Sequence, residues 1–205
     1  RRIELALACI DGAAPAVREL ALTEIERDCA AGAQLGASEF PRLVAWMGSE
    51  TAALDRAKRT ALLALAAARH AGGGKAPPEL AQQLVAVAIA RFGADSETLI
   101  ADVLDAAGHA TARAAAMDGN PLLRRAAARA LSSHPSEEDV AALRTLLSDK
   151  DRSVEATAVR ALGENKVEAA RTELLVRARL GFPEVRAAAL EAVGSMGGEF
   201  VLDAL

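Results

Sequence analysis

The sequence predicts an all-α fold, a stack of about six antiparallel helix pairs, and three observations carry that prediction. First, the hydrophobic fraction of 52% is supplied mainly by Ala and Leu, with four Phe, one Trp and no Tyr. Ala and Leu are strong helix formers, and small side chains let helix backbones approach closely. Second, three segments align without a gap: Leu123 to Ser132, Val154 to Gly163 and Val185 to Gly194, their starts 31 residues apart both times. Third, each places aliphatic or Ala residues at i, i+4 and i+8 (Ala127, Ala158 and Ala189 in the middle), the spacing of a one-sided buried stripe.

From the N-terminus, the first pair is Ile3 to Ile10 with Ala14 to Ala31, and the second is Ser38 to Met47 with Ser49 to His70. The stretch Gly72 to Pro78 is the one clear break, an inter-repeat loop or a hinge between a loose half at 1–71 and a more regular one at 78–205, joined at 72–77. The third pair is Pro78 to Phe92 with Ser96 to Ala107, closed by Gly108. Beyond it the aligned segments are the second helices of three further pairs. Their first helices include Ser136 to Leu147 and roughly Val167 to Leu180, with apolar stripes Val140, Leu143, Leu147 and Leu174, Leu175, Ala178. Ser136-Glu-Glu-Asp139 reads as a capped helix start, and Pro121 and Pro183 stand where a first helical turn tolerates proline. Residues 198–205 form a stub. Units of this size, each burying its apolar face only on its neighbours, make a solenoid, and all of 1–205 reads as one such domain.

Composition sets further bounds. No apolar run approaches the roughly 18 residues that a membrane span needs, so we expect a soluble chain, and the Ala, Arg and Gly bias suggests a bacterial, cytoplasmic protein. The start at Arg1-Arg2 without Met and the stop at Leu205 suggest a fragment, with Leu202 and Leu205 an apolar edge for end-to-end self-association. Cys9 and Cys29 stand singly on apolar stretches and are expected to be reduced and buried. The net charge is −4, with 14 acids and 11 bases in residues 1–109 and 11 acids and 13 bases in 110–186. No segment shows the clustered positive footprint of a duplex-binding surface, which argues against a nucleic-acid partner.

The pattern Asp, short turn, Val-Arg-x-x-Ala-x-x-Ala-Leu-Gly, clearest in Asp149 to Gly163 and Val185 to Gly194, resembles the HEAT-like repeats first described in phycobilisome lyases. The resemblance covers residues 110–197 well and the N-terminal half loosely. It implies a right-handed α-solenoid that holds other macromolecules. One departure weakens an Asp–Arg ladder between repeats: the residue after the leading aliphatic is Arg124, then Glu155, then Arg186.

The strongest surface feature is the set Arg124, Arg125, Arg129, Arg160 and Arg186 on the second helices. If those helices line a concave face, the arginines form a track for carboxylates or phosphates, to which the guanidinium fork is suited. The simpler alternative is a solvated face of ion pairs with Asp118, Asp149, Glu155 and Glu191. His70, His109 and His134 lack the i, i+4 partners of a metal site and read as helix-end residues. Trp46, near Phe40, reads as core filler, or as an interface anchor if exposed. No GxSxG, phosphate-binding glycine loop or Cys–His arrangement is present, and Gly72-Gly-Gly-Lys75 lacks the strand and Ser/Thr of a phosphate loop.

These readings favour a non-catalytic scaffold or adaptor for a protein partner, needing no cofactor or metal. An accessory lyase or chaperone for a tetrapyrrole-bearing protein is a second reading, which rests on the resemblance alone. A DNA-binding HEAT-like protein is a third, disfavoured by the acidic charge and the scarcity of aromatics.

Overall fold

The computed structural model describes residues 5, 6, 8–10, 14–31, 39–49, 53–71 and 77–197. Among them every regular element is helical. The helices are α1 (Pro15–Ala30), α2 (Phe40–Met47), α3 (Leu54–Ala71), α4 (Pro78–Phe92), α5 (Glu97–Ala107), α6 (His109–Ala115), α7 (Pro121–Ala130), α8 (Glu137–Leu146), α9 (Arg152–Glu164), α10 (Arg171–Leu180) and α11 (Pro183–Ser195). Short 3₁₀ turns lead into α5 and α10.

The chain divides into two compact units, residues 1–107 and 108–205. The glycine-rich joint expected at 72–77 therefore falls within the first unit, where residues 72–76 lie outside the described residues. The same holds for the stub at 198–205, with its Leu202 and Leu205, and for the His70 side chain.

In the first unit α1 packs on α3, α3 on α5, and α2 and α4 lie against these second helices. Trp46 is buried with Leu43, Ile25, Leu22 and Ile10, so it fills the core and offers no exposed anchor. Both cysteines are free, as expected, but Cys9 is exposed and Cys29 only half-buried, which corrects the expectation of two buried thiols. Burial pushes the Cys29 thiol up, with Asp28 and Glu39 adding to the effect.

The second unit is the regular one. Its second helices stack in sequence, α7 on α9 and α9 on α11, while α6, α8 and α10 cover them from one side. The stripe read from sequence is the buried stripe here: Ala127, Ala158, Ala189, Val154, Val185, Leu131 and Leu162 are all fully buried. The approach of α9 to α11 is close enough that a methyl group on Gly163 would overlap the Cβ and Cα of Ala192. That close approach accounts for the glycine at 163.

The helix starts are fixed by side chains spaced as the repeat demands. Asn120 Oδ1 accepts from Leu122 N (3.0 Å) ahead of Pro121, and Asp151 Oδ1 accepts from Ser153 N (2.9 Å). Ser136 and Asp139 form the expected start as a capping box. Asp118 and Asp149, 31 residues apart, each fold a turn by accepting from the backbone N–H two residues on (2.7 and 2.8 Å). His134 lies in the turn after α7 with φ +52° and is exposed.

Candidate functional site

Of the five arginines expected as a track, Arg124 is buried, Arg125 is half-buried, and Arg129, Arg160 and Arg186 are exposed. In the 31-residue register Arg129 and Arg160 stand at equivalent positions and are followed by Glu191, while Arg125 is followed by Ala156 and Ala187. Arg124 is followed by Glu155 and Arg186. Arg129, Arg160, Glu191 and Arg186 are exposed, so one short row of like charge, Arg129 with Arg160, survives on the second-helix face. Arg125, half-buried, donates to Ser153 Oγ at 3.1 Å.

Arg124 is not a surface residue. Its side chain is 8% exposed, and it grips the carboxylate of Asp149, itself 7% exposed, with Nε and Nη2 at 2.6 and 2.8 Å. Nη1 donates to the carbonyls of Asp118 (2.9 Å) and Gly119 (3.0 Å). One guanidinium thus joins the turn before α7 to the turn before α9, and its planar fork suits that bidentate role. The Arg124 bonds hold the Asp149 carboxyl below the usual carboxylate range, against the opposing effect of burial.

The next joint reverses the polarity. Where the register would bring an arginine to position 155 and an aspartate to 180, the chain has Glu155 and Leu180. Arg177, on the last turn of α10, restores the link: its Nε donates to Glu155 Oε1 at 2.9 Å, Nη1 to the Glu173 carbonyl at 3.1 Å, and Nη2 to the Leu147 carbonyl. The doubted ladder therefore persists as a pair of joints rather than a repeated motif. Arg177 was not singled out in the sequence, because it enters from a different helix.

A third polar cluster was also hidden. Asp139, fully buried, accepts from Ser136 N (2.9 Å), Ser136 Oγ (2.7 Å) and Arg113 Nη1 (2.5 Å), and pairs with His109 Nδ1 (2.6 Å). Burial pushes its carboxyl up, but the Ser136, His109 and Arg113 donors outweigh burial and hold it well below the ordinary carboxylate range. His109 stands in the first turn of α6, so its role is to pair with Asp139 and not to face the last carbonyls of a helix. Ser136, His109 and Asp139 do not make a nucleophilic triad, since the serine hydroxyl is spent on the carboxylate and not on the imidazole.

Among the described residues no group of His, Cys, Asp and Glu converges as a metal site, and no helix is long and apolar enough to cross a membrane. The second unit thus repeats a helix pair stacked on its neighbours, with a turn aspartate at Asp149 and a Val–x–x–x–Ala–x–x–Ala–Leu–Gly second helix at Val154 to Gly163. Residues 141–205 match the family model for HEAT repeats. That C-terminal stretch is similar to HEAT repeats. HEAT repeats generally mediate contacts between proteins and are typically non-catalytic. No curated protein matches the sequence.

Proposed function

We propose that this HEAT-repeat chain is a non-catalytic scaffold or adaptor that binds a protein partner through the surface of its repeats. The observation that carries the reading is where the chemically capable groups go. Arg124, Asp149, Glu155, Arg177, Asp139 and His109 are all engaged in joints between helices, which leaves an extended surface rather than a reactive centre. On the second-helix face the exposed pair Arg129 and Arg160 is the remaining candidate for contacts with partner carboxylates, with Arg125 and Arg186 flanking it.

The test is capture from extract of the source cells by the tagged full chain, with bound proteins identified by mass spectrometry and rebound in purified form. A defined partner that binds saturably is the expected result. Combining Arg129→Ala with Arg160→Ala should weaken it while leaving thermal stability within about 0.5 kcal/mol, as for most surface changes. Failure of the wild-type chain to retain any protein above a matched control would contradict the reading.

A further inference from the structure

We propose that the chain forms a two-fold dimer through the outward face of α11, the two copies of that helix running parallel and joined by Arg186 of each copy to Glu191 of the other. The inference is independent of the protein-binding reading above.

A comparison of equivalent faces within the second unit carries it. On α9 the residues Ala156, Val159 and Gly163 lie along one side of the helix, at i, i+3 and i+7, and all three are buried. Their cover is the next second helix, α11, whose Ala192 stands where a methyl group on Gly163 would be. On α7 the same register positions are Arg125, Ala128 and Ser132, buried or half-buried under α9. On α11 they are Ala187, Leu190 and Gly194. Ala187 and Gly194 are exposed, Leu190 is half-buried, and a methyl group placed on Gly194 would meet nothing within 4 Å. Among the described residues, α11 therefore presents uncovered the face by which α9 receives a helix.

Direction and charge name the helix that continues this interface. Equivalent helices of successive repeats run the same way, so the face is shaped for a parallel neighbour. Its two borders carry opposite charge, Arg186 on one side and Glu184 with Glu191 on the other, all exposed. Neither Arg186 nor Glu191 has an ion pair or side-chain hydrogen bond among the described residues. When two copies of α11 pair in parallel, Arg186 of each lies across from Glu191 of the other, five residues on, the spacing by which bordering charges set partner and orientation in paired helices. Antiparallel pairing would set arginine against arginine and glutamate against glutamate. Ala187 and Gly194, with little or no side chain, let the two backbones approach, and Leu190 meets its own copy between them. The face complements itself, and a two-fold pairing closes the assembly at two copies.

Sedimentation equilibrium of the full chain over a wide range of concentration reads the assembly directly, with a thiol reductant present to keep the exposed Cys9 from cross-linking copies. The expected result is a reversible monomer–dimer equilibrium whose dissociation constant rises with salt. Arg186→Glu should weaken the dimer by about tenfold or more, since it sets glutamate against Glu191. Combining it with Glu191→Arg should restore most of the loss. Ala187→Glu should weaken the dimer by about tenfold or more as well, by placing an unpaired charge at the centre of the contact. Glutamate is a good helix former and position 187 is exposed in the single chain, so the fold is kept, which circular dichroism checks. A monomer at every concentration would overturn the proposal, and slow hydrogen exchange at 186–194 in that monomer would assign the cover to residues 198–205 of the same chain. Open-ended assembly, a dimer that Ala187→Glu leaves unchanged, or a charge swap that restores nothing would each overturn it too.

Discussion

The two units are built from the same kind of helix, yet they secure those helices differently. In the first, α1, α2 and α4 start without a side-chain cap, and the ion pairs Arg59–Glu26, Arg56–Glu19 and Lys58–Asp102 lie at or near the surface. In the second, Asn120, Ser136 and Asp151 cap three helices, and the joints Arg124–Asp149, Glu155–Arg177 and Asp139–His109–Arg113 are buried or half-buried. A one-sided apolar stripe makes a helix lie on its neighbour but does not by itself fix where along the neighbour it lies. Buried polar joints fix the register, since a slip would strand a charge away from water. That contrast explains why the 31-residue period is strict in one unit and loose in the other.

The largest effect should come from breaking the joint between α7 and α9. Arg124→Met leaves the Asp149 carboxylate buried without its partner, and about 3 kcal/mol of stability should be lost in denaturant unfolding. The double change Arg124→Met with Asp149→Leu should recover most of it, because no charge is then stranded.

Acid should act on the same unit. The carboxyls of Asp139, Asp149 and Asp151 are all lowered in the folded chain, so on acidification the unfolded chain takes up protons first. Their contribution is complete above the ordinary carboxylate value of about 4 and is lost as pH falls through the lower folded values. Thermal melts should therefore begin to drop below about pH 4, and the drop should be smaller in the Arg124→Met, Asp149→Leu variant, which lacks one of the three groups.

Glycines at equivalent repeat positions sharpen the point further. Gly163→Ala should cost about 1–3 kcal/mol by overpacking against Ala192. Gly194→Ala, 31 residues on, meets nothing within 4 Å and should be neutral or stabilising by up to about 1 kcal/mol. The smallest effect should come from the first unit: Arg59→Ala, which removes an exposed pair with Glu26, should change stability by less than about 1 kcal/mol.

The fold was largely legible because apolar periodicity is a local signal. The stripe through Ala127, Ala158 and Ala189, the start at Ser136 and the prolines at 121 and 183 could all be read without knowing what lay opposite. The polar joints were legible only in part. Asp149 was recognised as a partner for the second-helix arginines, but as a solvated one, because sequence does not report that the turns before α7 and α9 close over the pair. Arg177 and His109 were missed as joint residues for a related reason: each reaches its carboxylate from another helix, 22 and 30 residues away in the chain.

The claim that buried polar joints, more than the apolar stripe, hold successive repeats in register is tested most directly by hydrogen exchange on the full chain, wild type against Arg124→Met. The expected result is faster exchange in the turns at 118–120 and 149–153 and along both α7 and α9, because the arginine ties the two together. Faster exchange confined to the turn around Arg124 itself, with α9 protected as before, would contradict it.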